Sequence, residues 1–479
     1  LMGRAGRSLL GVLPLLAGLA GQSDAPLIHI ARDAGRMADI AQVLSFAAPG
    51  LDIIQLPAWD CLPYDRVSPS AEVTAQRLAA LTRIAALAAN PRRAIVLTSA
   101  NAVLQRVLPP ETIAAQAIDV RPGQVIAMEQ LVGTLTGNGF LRVPTVREVG
   151  EYAVRGGILD VFAPGSEGPV RLDFFGDTLE TVRGFDPATQ RTTDQRKAFS
   201  LQPMSEVVLD AASVTRFRTR YIETFGAPAR DDALYASIVA QTRFAGMEHW
   251  LPFFAERLET LFDALPDAPV VIEPLAMNAV AERADQIDEY YKARTDQLAG
   301  KAMGEAAPYK PVAPELLYLD KAGFDAMLAA RTAVHLSPFD RPESAGTAII
   351  ALDGRAGRNF SAERAQKDVN VFEIAARFIA DARGEGRRVV LAGWSEGSLT
   401  RLVQILEEHG LEGFSGIAPD AAALARDLIN TPANDMGPDE LAQAAQALAE
   451  KFGAAYSCII GDDLLKQNFQ LIHAVGDRK

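Results

Sequence analysis

Short apolar runs alternate with amphipathic stretches over the first part of the chain. Three runs, Leu27–Ile30, Asp52–Leu56 and Ala94–Thr98, have the length and composition of strands. Between the first two, apolar side chains recur at helical spacing, at Met37, Ile40, Val43, Leu44 and Ala47. Apolar strands separated by helices are typical of a parallel sheet whose faces are covered.

The end of the third run predicts a helix start. Ser99 follows that run directly, and a serine hydroxyl can accept a hydrogen bond from the free N–H groups of a first helical turn. The helix is expected to carry Val103, Leu104 and Val107. The strand, cap and helix together continue the alternating pattern.

A β-hairpin is predicted farther along. Two apolar runs, Ile158–Phe162 and Val170–Phe175, flank the turn sequence Pro-Gly-Ser-Glu-Gly-Pro. Runs of this length on either side of a Gly- and Pro-rich turn favour adjacent antiparallel strands.

The second strand of this hairpin predicts an unusual outer face. Side chains alternate along a strand, so Leu172 and Phe174 share one face while Arg171, Asp173 and Phe175 share the other. Arginine and large aromatic residues are enriched at binding hot spots. The face is therefore a candidate interface, and the alternative is a solvated arginine beside a phenylalanine of a second core.

The second half of the chain returns to mixed helix and strand. Residues 208–336 combine apolar segments with a long charged helix, and residues 337–370 mix Pro, Gly, Ser and charged residues without a period. A small α/β unit follows, with a helix over 371–382, a strand over 388–391 and a helix over 399–409. The aperiodic stretch predicts an interdomain linker.

Composition changes the picture in three ways. With 479 residues the chain is too long for one core and suggests three or four domains. Its two cysteines, Cys61 and Cys458, lie far apart, so they form neither a disulfide framework nor a zinc motif. The five histidines are scattered, so no metal site is predicted, and a reducing cytoplasm is the expected location.

The charge balance argues against unaided DNA binding. The formal net charge is −13, whereas a standalone duplex binder needs a basic stripe to displace counterions from phosphates. Residues 141–200 are nearly neutral, with eight Lys and Arg against nine Asp and Glu. The predicted hairpin thus lies in a nearly neutral region of an acidic chain.

The first residues have two interpretations. Arg4 and Arg7 precede a short apolar stretch, which imitates a signal peptide. That stretch is too short to span a bilayer and contains Pro14. A buried first helix is the favoured interpretation, and no membrane association is expected.

The parallel sheet resembles a P-loop ATPase domain without its phosphate-binding residues. Nothing in the chain matches Gly-x-x-x-x-Gly-Lys-[Ser/Thr], and the glycines at Gly3 and Gly6 have neither a preceding strand nor the lysine. Without the backbone cradle and the lysine, nucleotide phosphates lose their main ligands. A degenerate domain without a nucleotide cofactor is therefore predicted.

Two separate stretches resemble the transcription-repair coupling factor family, Mfd, whose N-terminal part is built like the excision-repair protein UvrB. One is the stretch 150–187 around the hairpin, and the other is Leu-Pro-Ala-Trp-Asp-Cys-Leu-Pro-Tyr-Asp-Arg-Val-Ser-Pro-Ser at 56–70, followed by Gln-Arg-Leu at 76–78. The resemblance covers roughly residues 26–415. It implies a second domain of the kind that recruits UvrA.

The resemblance also implies site residues and partners. Arg155, Arg171 and Phe175 match the UvrA-binding positions of the family, and Asp173 is expected to orient Arg171 or to pair with a partner cation. RNA polymerase and DNA are implied as partners of the full-length family only. No motor domains are expected here, so the chain is predicted to recruit UvrA without being an enzyme.

One motif favours a different activity. Ser395 lies at the centre of Gly-Trp-Ser-Glu-Gly, which follows a predicted strand and precedes a helix, as a hydrolase nucleophile does. A serine hydrolase also needs an acid and a histidine farther along, and only His409 and His473 remain. The hydrolase stays as an alternative, weakened by the missing partners.

The tail resembles another family. Residues 425–438, Ala-Arg-Asp-Leu-Ile-Asn-Thr-Pro-Ala-Asn-Asp-Met-Gly-Pro, are similar to the leucyl aminopeptidase family near the start of its catalytic domain. The metal ligands of that family lie beyond this stretch, and the adjacent Asp462 and Asp463 are too few to form such a site. The two resemblances therefore predict two unrelated families joined near residues 414–420, either by a gene fusion or by a sequence-assembly join. A non-functional fragment of a leucyl aminopeptidase fusion is an alternative function.

The predicted fold class is α/β. It comprises a degenerate P-loop-like parallel-sheet domain with an inserted antiparallel hairpin domain, then a small α/β domain and an α/β tail. The predicted segments are the UvrB-like domain 1a, the hairpin domain, domain 1b, the linker, the small domain and the aminopeptidase-like fragment, at 1–124, 125–207, 208–336, 337–370, 371–415 and 416–479.

Overall fold

The computed structural model describes most of the chain up to residue 416. The described residues are 25–299 without 49, 309–337, 349, and 358–416 without 367, 388, 390 and 392–395. The chain divides into two compact units, Leu1–Gly357 and Arg358–Lys479. The predicted first helix, most of the linker and the aminopeptidase-like tail lie outside the described residues.

The strands alternate with helices, as the pattern predicts. The strands, numbered in chain order, are β1 Leu27–Ala31, β2 Asp52–Leu56, β3 Ala94–Ser99, β4 Ile118–Val120, β5 Leu141–Arg142, β6 Glu151–Arg155, β7 Ile158–Val161, β8 Val170–Phe175, β9 Thr178–Phe185, β10 Thr192–Arg196, β11 Phe199–Leu201, β12 Val270–Ile272 and β13 Ala333–His335. Helices of the first unit with at least seven residues span Ala34–Ala47, Ala71–Ala89, Pro110–Gln116, Met128–Gly137, Ala211–Phe225, Ala233–Val239, Ala276–Ala299 and Lys321–Ala329. Shorter helical turns lie at Ala100–Val103, Met247–Trp250, Leu251–Phe254, Leu261–Ala264 and Pro314–Leu317.

A parallel sheet forms the centre of the first unit. Its strand order is β13-β12-β1-β3-β2, and every neighbouring pair is parallel. Helical side chains cover both faces: Met37, Ile40 and Leu44 are buried against one, and residues such as Leu81 and Ile84 against the other. Segments before and after the hairpin region thus build one sheet, which confirms the predicted inserted arrangement.

The helix after Ser99 is shorter than predicted. The Ser99 hydroxyl accepts from the backbone N–H of Ala102 as expected, but the helix ends at Val103. Val107 instead exchanges two backbone hydrogen bonds with Glu259, at 2.8 and 2.9 Å. Pairing with a distant segment has replaced the extra helical turn that local spacing predicts.

The inserted region is a six-stranded sheet with its own core. The strand order is β10-β9-β8-β7-β6-β5, antiparallel except for the short parallel pair β5–β6. Inward side chains such as Leu159, Leu172 and Val182 pack with helix Met128–Gly137. The core also contains Val120, because β4 pairs with β11.

The described part of the second unit consists mainly of helices. They span Ser361–Arg364, Val371–Gly384 and Glu396–Glu408, and Ala376, Leu406 and Leu411 form a small buried cluster. The helices at 371 and 396 agree with the predicted ones. Part of the predicted strand 388–391 lies outside the described residues.

Candidate partner-binding surface

The side of the inserted sheet away from helix Met128–Gly137, called the outer face below, is built from β6 to β9. Part of it is covered, because Val146, Ala153 and Phe185 form a small buried cluster there. Residues directly opposite each other on paired antiparallel strands point to the same side of a sheet. The register creates two such rows across the four strands, one of Ala153, Asp160, Arg171 and Arg183 and one of Arg155, Ile158, Asp173 and Thr181. The sequence-predicted residues therefore do meet on one face.

A two-glycine turn brings β6 and β7 together beneath this face. Gly156 has φ +60°, in the left-handed region that glycine tolerates without steric cost. A Cβ atom on Gly157 would lie 2.7 Å from the carbonyl oxygen of Phe174, so only glycine fits there. The turn places Arg155 at the end of β6, opposite Ile158.

Arg171 reaches across to the neighbouring strand β7 and is mostly buried. Its Nε and Nη2 atoms donate to the two carboxylate oxygens of Asp160 at 2.7 and 2.9 Å. Its guanidinium carbon lies 4.8 Å from the ring centroid of Phe185. The hydrogen bond with Asp160 raises the pKa of Arg171 further above its usual value. Only 16 % of the Arg171 side chain and 1 % of the Asp160 side chain are exposed.

The predicted role of Asp173 is corrected. Asp173 makes no hydrogen bond to Arg171; its carboxylate accepts two bonds from Arg183, both at 2.9 Å, and one from the hydroxyl of Thr181. The side chain that orients Arg171 is Asp160, because the register places Asp160 directly opposite it. Asp173 thus already has a cation partner within the chain.

Phe175 stands at the exposed end of β8. Its relative exposure is 76 %, whereas Leu172 is buried and Phe174 packs on the inner core, so the predicted alternation is confirmed. Gly176, with φ +59°, and Asp177 form the tight turn that leads into β9. A register shift between Asp173 and Phe174 keeps Leu179 in the core and Phe175 outside.

Arg155 completes the exposed part of the face. Its Nη2 atom donates to the carbonyl oxygen of Pro144 at 3.1 Å and lies 4.0 Å from Asp160. Its side chain is 48 % exposed, so several of its N–H donors face outward. Arg155 and Phe175 therefore present free groups, whereas Arg171 mainly braces the sheet.

Sequence reasoning missed Asp160 and Arg183, the internal partners of this surface. Asp160 interrupts the apolar run of β7 at an outward position, and this interruption is the sequence feature that could have identified it. Its partner could not be inferred, because the pairing depends on the register between β7 and β8. The two arginine–carboxylate pairs connect β7 with β8 and β8 with β9 across the middle of the face.

Other candidate chemistry in the described residues is structural. Cys61 Sγ and His249 Nε2 lie 3.9 Å apart, but burial raises the pKa of the thiol to about 12 and lowers that of the imidazole to about 4. A thiolate–imidazolium pair is therefore disfavoured. Among the described residues no cluster of His, Cys, Asp or Glu could hold a metal ion.

The serine hydrolase alternative is weakened further, because His409 already has hydrogen-bond partners. His409 Nδ1 lies 2.7 Å from the carbonyl oxygen of Ile405, and Nε2 lies 2.7 Å from the side-chain nitrogen of Asn370. Both ring nitrogens thus have local partners. Ser395 itself, with His473, Asp462 and Asp463, lies outside the described residues.

No helix described within residues 25–299, 309–337 or 358–416 is both long and apolar enough to cross a bilayer.

Two protein-family models match the chain. The UvrB interaction domain matches residues 118–206, which coincide with the inserted sheet, its helix and its flanking strand pair. The catalytic domain of the cytosol aminopeptidase family matches residues 423–478, where the sequence predicts an aminopeptidase-like tail.

Several curated relatives match the chain over a longer stretch. Transcription-repair-coupling factors from Haemophilus influenzae, Escherichia coli and Myxococcus xanthus are 33 %, 32 % and 38 % identical over 293, 270 and 289 residues. These stretches cover 60 %, 56 % and 56 % of this chain and 24 %, 23 % and 24 % of the relatives. The chain thus spans about a quarter of the length of the curated relatives it matches. The predicted resemblance is confirmed: the N-terminal 60 % of the chain is similar to transcription-repair-coupling factors and includes a region similar to the UvrB interaction domain.

Proposed function

We propose that this chain is a recruiting module of transcription-coupled nucleotide-excision repair that binds UvrA through the outer face of its inserted sheet. The observation that carries the proposal is the exposure of Phe175 and of about half of the Arg155 side chain on the same face of the sheet, within the region similar to the UvrB interaction domain. Exposed aromatic and arginine side chains on a rigid sheet are the residue types of interface hot spots.

The chemistry of this face defines what it can bind. Arg155 offers outward N–H donors that can hold a carboxylate in a bidentate pair, and Phe175 offers an apolar ring that needs a recess. Arg171, braced by Asp160, reaches the same face with a smaller exposed part. The complementary surface on UvrA should therefore combine acidic groups with an apolar pocket.

We further propose that the chain acts by binding and does not hydrolyse ATP. Helix Ala34–Ala47 follows β1, where a P-loop domain would hold phosphate, and the side chain of Asp33 caps that helix by accepting from Arg36 N at 2.8 Å. Glu273 lies beside it and forms an ion pair with the Arg36 side chain. The Asp33 carboxylate thus takes the position at the helix N-terminus where a P-loop domain would bind phosphate, which disfavours nucleotide binding. ATP turnover above a heat-denatured control would contradict this part of the proposal.

DNA and RNA polymerase are partners implied for the full-length family, and the cytoplasm is the proposed location. With its net charge of −13, the chain is expected to meet DNA only as part of a larger assembly. The recruiting role assigned to this chain therefore concerns UvrA alone.

The first testable prediction concerns Phe175→Ala. Because the ring is exposed and contributes little to the inner core, the variant should keep the melting temperature of the wild type while its affinity for UvrA falls about thirtyfold. The measurement is a calorimetric titration of the full chain with UvrA, beside a thermal melt.

Phe372→Ala is the matched control. Phe372 is also an exposed phenylalanine, but it lies at the start of a helix in the second unit. Its removal should leave UvrA affinity unchanged. Equal affinities for the wild type and a folded Phe175→Ala variant would contradict the proposed function.

A further inference from the structure

A valine outside the predicted hairpin is as exposed as Phe175. Val125 and Phe175 each show 76 % relative exposure, the highest value among the large hydrophobic residues of the described part of the chain. Single exposed apolar residues are ordinary, whereas adjacent ones form a patch that indicates an interaction site. Whether Val125 and Phe175 belong to one such patch therefore depends on their positions on the sheet.

The register places both on the same side of the sheet. Phe175 is opposite Thr178 in the β8–β9 pair, and Thr178 is opposite Val125 through an isolated antiparallel bridge. Directly opposed residues share a face, so Phe175, Thr178 and Val125 form one row across three neighbouring backbone segments. Two strand spacings separate the outer members, which is about 10 Å.

The backbone holds Val125 firmly in this row. Leu179 N donates to the carbonyl oxygen of Gln124 at 2.9 Å, and Ile126 N donates to that of Asp177 at 2.8 Å. The next side chain, Ile126, packs on the inner core, so alternation along the segment directs Val125 outward. A side chain presented in this way costs little entropy to immobilise on binding.

We propose that Val125 is a UvrA-contacting residue and that the docking surface extends across β9 to it, along the row of Phe175, Thr178 and Val125. The inference rests on the proposed function and assigns a binding residue that lies outside the predicted set of Arg155, Arg171, Asp173 and Phe175. A single partner can contact both apolar residues, because Val125 lies in the same row as Phe175. Arg155 lies on the other side of Phe175 from Val125. The recess on UvrA must therefore be wide enough for two apolar side chains, with its acidic groups confined to the Arg155 side.

The test uses the full chain with Val125→Asp and Val125→Thr. Burying a valine side chain at an interface is worth about tenfold in affinity, so Val125→Asp should weaken UvrA binding at least about tenfold. Val125→Thr keeps the shape and the strand preference but replaces a methyl group by a hydroxyl, so it should weaken binding severalfold. Both variants should melt like the wild type, since the side chain lies outside the core.

Val67 supplies matched controls. It is another exposed valine, at 59 %, on the loop after β2, and Val67→Asp and Val67→Thr should leave UvrA affinity unchanged. If Val125→Asp fails to fold, the UvrA affinity of Val125→Thr tests the inference. Unchanged affinity in folded Val125 variants, with weakened binding by Phe175→Ala, would overturn this inference alone. Unchanged affinity for Phe175→Ala as well would overturn the proposed function.

Discussion

Glu206→Ala is expected to lower the free energy of unfolding by about 3–5 kcal/mol, because it leaves the charge of Arg77 buried without its partner. Arg77 lies on helix Ala71–Ala89 and is fully buried, and its Nε atom donates to Glu206 Oε1 at 2.6 Å. Trp59 Nε1 donates to the same oxygen at 3.0 Å. The pair therefore joins the helix of the parallel sheet to the segment that leaves the inserted sheet.

Chemical denaturation of the single and double variants measures this effect. Arg77 Nη2 and Glu206 Oε2 have no hydrogen-bond partner among the described residues, so the buried pair is incompletely satisfied. Arg77→Met combined with Glu206→Leu should therefore be more stable than either single variant. Glu256→Ala, at an exposed carboxylate, is the control and should change stability by less than about 0.5 kcal/mol. A Glu206→Ala variant as stable as this control would contradict the structural role.

Arg171→Ala is expected to reduce both stability and UvrA binding. Removal of Arg171 leaves the buried carboxylate of Asp160 with only Arg155 nearby, at 4.0 Å. The free energy of unfolding should fall by about 2–3 kcal/mol. This is a small effect for a broken buried ion pair, because Arg171 is partly exposed. The affinity for UvrA should fall about tenfold or more, measured well below the lowered melting temperature.

Two companion variants separate folding from binding. Asp160→Ala combined with Arg171→Ala should recover part of the stability, because no unpaired charge remains, but it should not recover the affinity. Arg155→Ala should bind UvrA weakly while melting close to the wild type, since its side chain is half exposed. Arg171→Ala with an unchanged melting temperature would show that the pair with Asp160 does not brace the sheet.

The alternation of side chains along β8 could be predicted from the sequence because it depends only on local backbone geometry. Apolar and polar positions of a strand repeat every two residues, so the outward direction of Arg171 and Phe175 follows from their spacing. A second local signal, a short run of mainly apolar residues, allowed β1, β2 and β3 to be predicted individually.

The partners of those side chains could not be predicted, because they depend on contacts between distant segments. The register of β7 against β8 decides that Arg171 meets Asp160, and the register of β8 against β9 decides that Asp173 meets Arg183. Val125 was missed for the same reason: a single bridge to Thr178 leaves no periodic signal in the sequence.

Photo-crosslinking from position 175 tests the central claim most directly. The full chain would carry the photoreactive residue p-benzoylphenylalanine in place of Phe175 and, in a second preparation, in place of the control residue Phe372. Because the Phe175 side chain projects from the outer face, irradiation with UvrA should yield a covalent complex from the first preparation and none from the second. A UvrA adduct from position 372, with none from position 175 in a correctly folded chain, would contradict docking through the outer face of the inserted sheet.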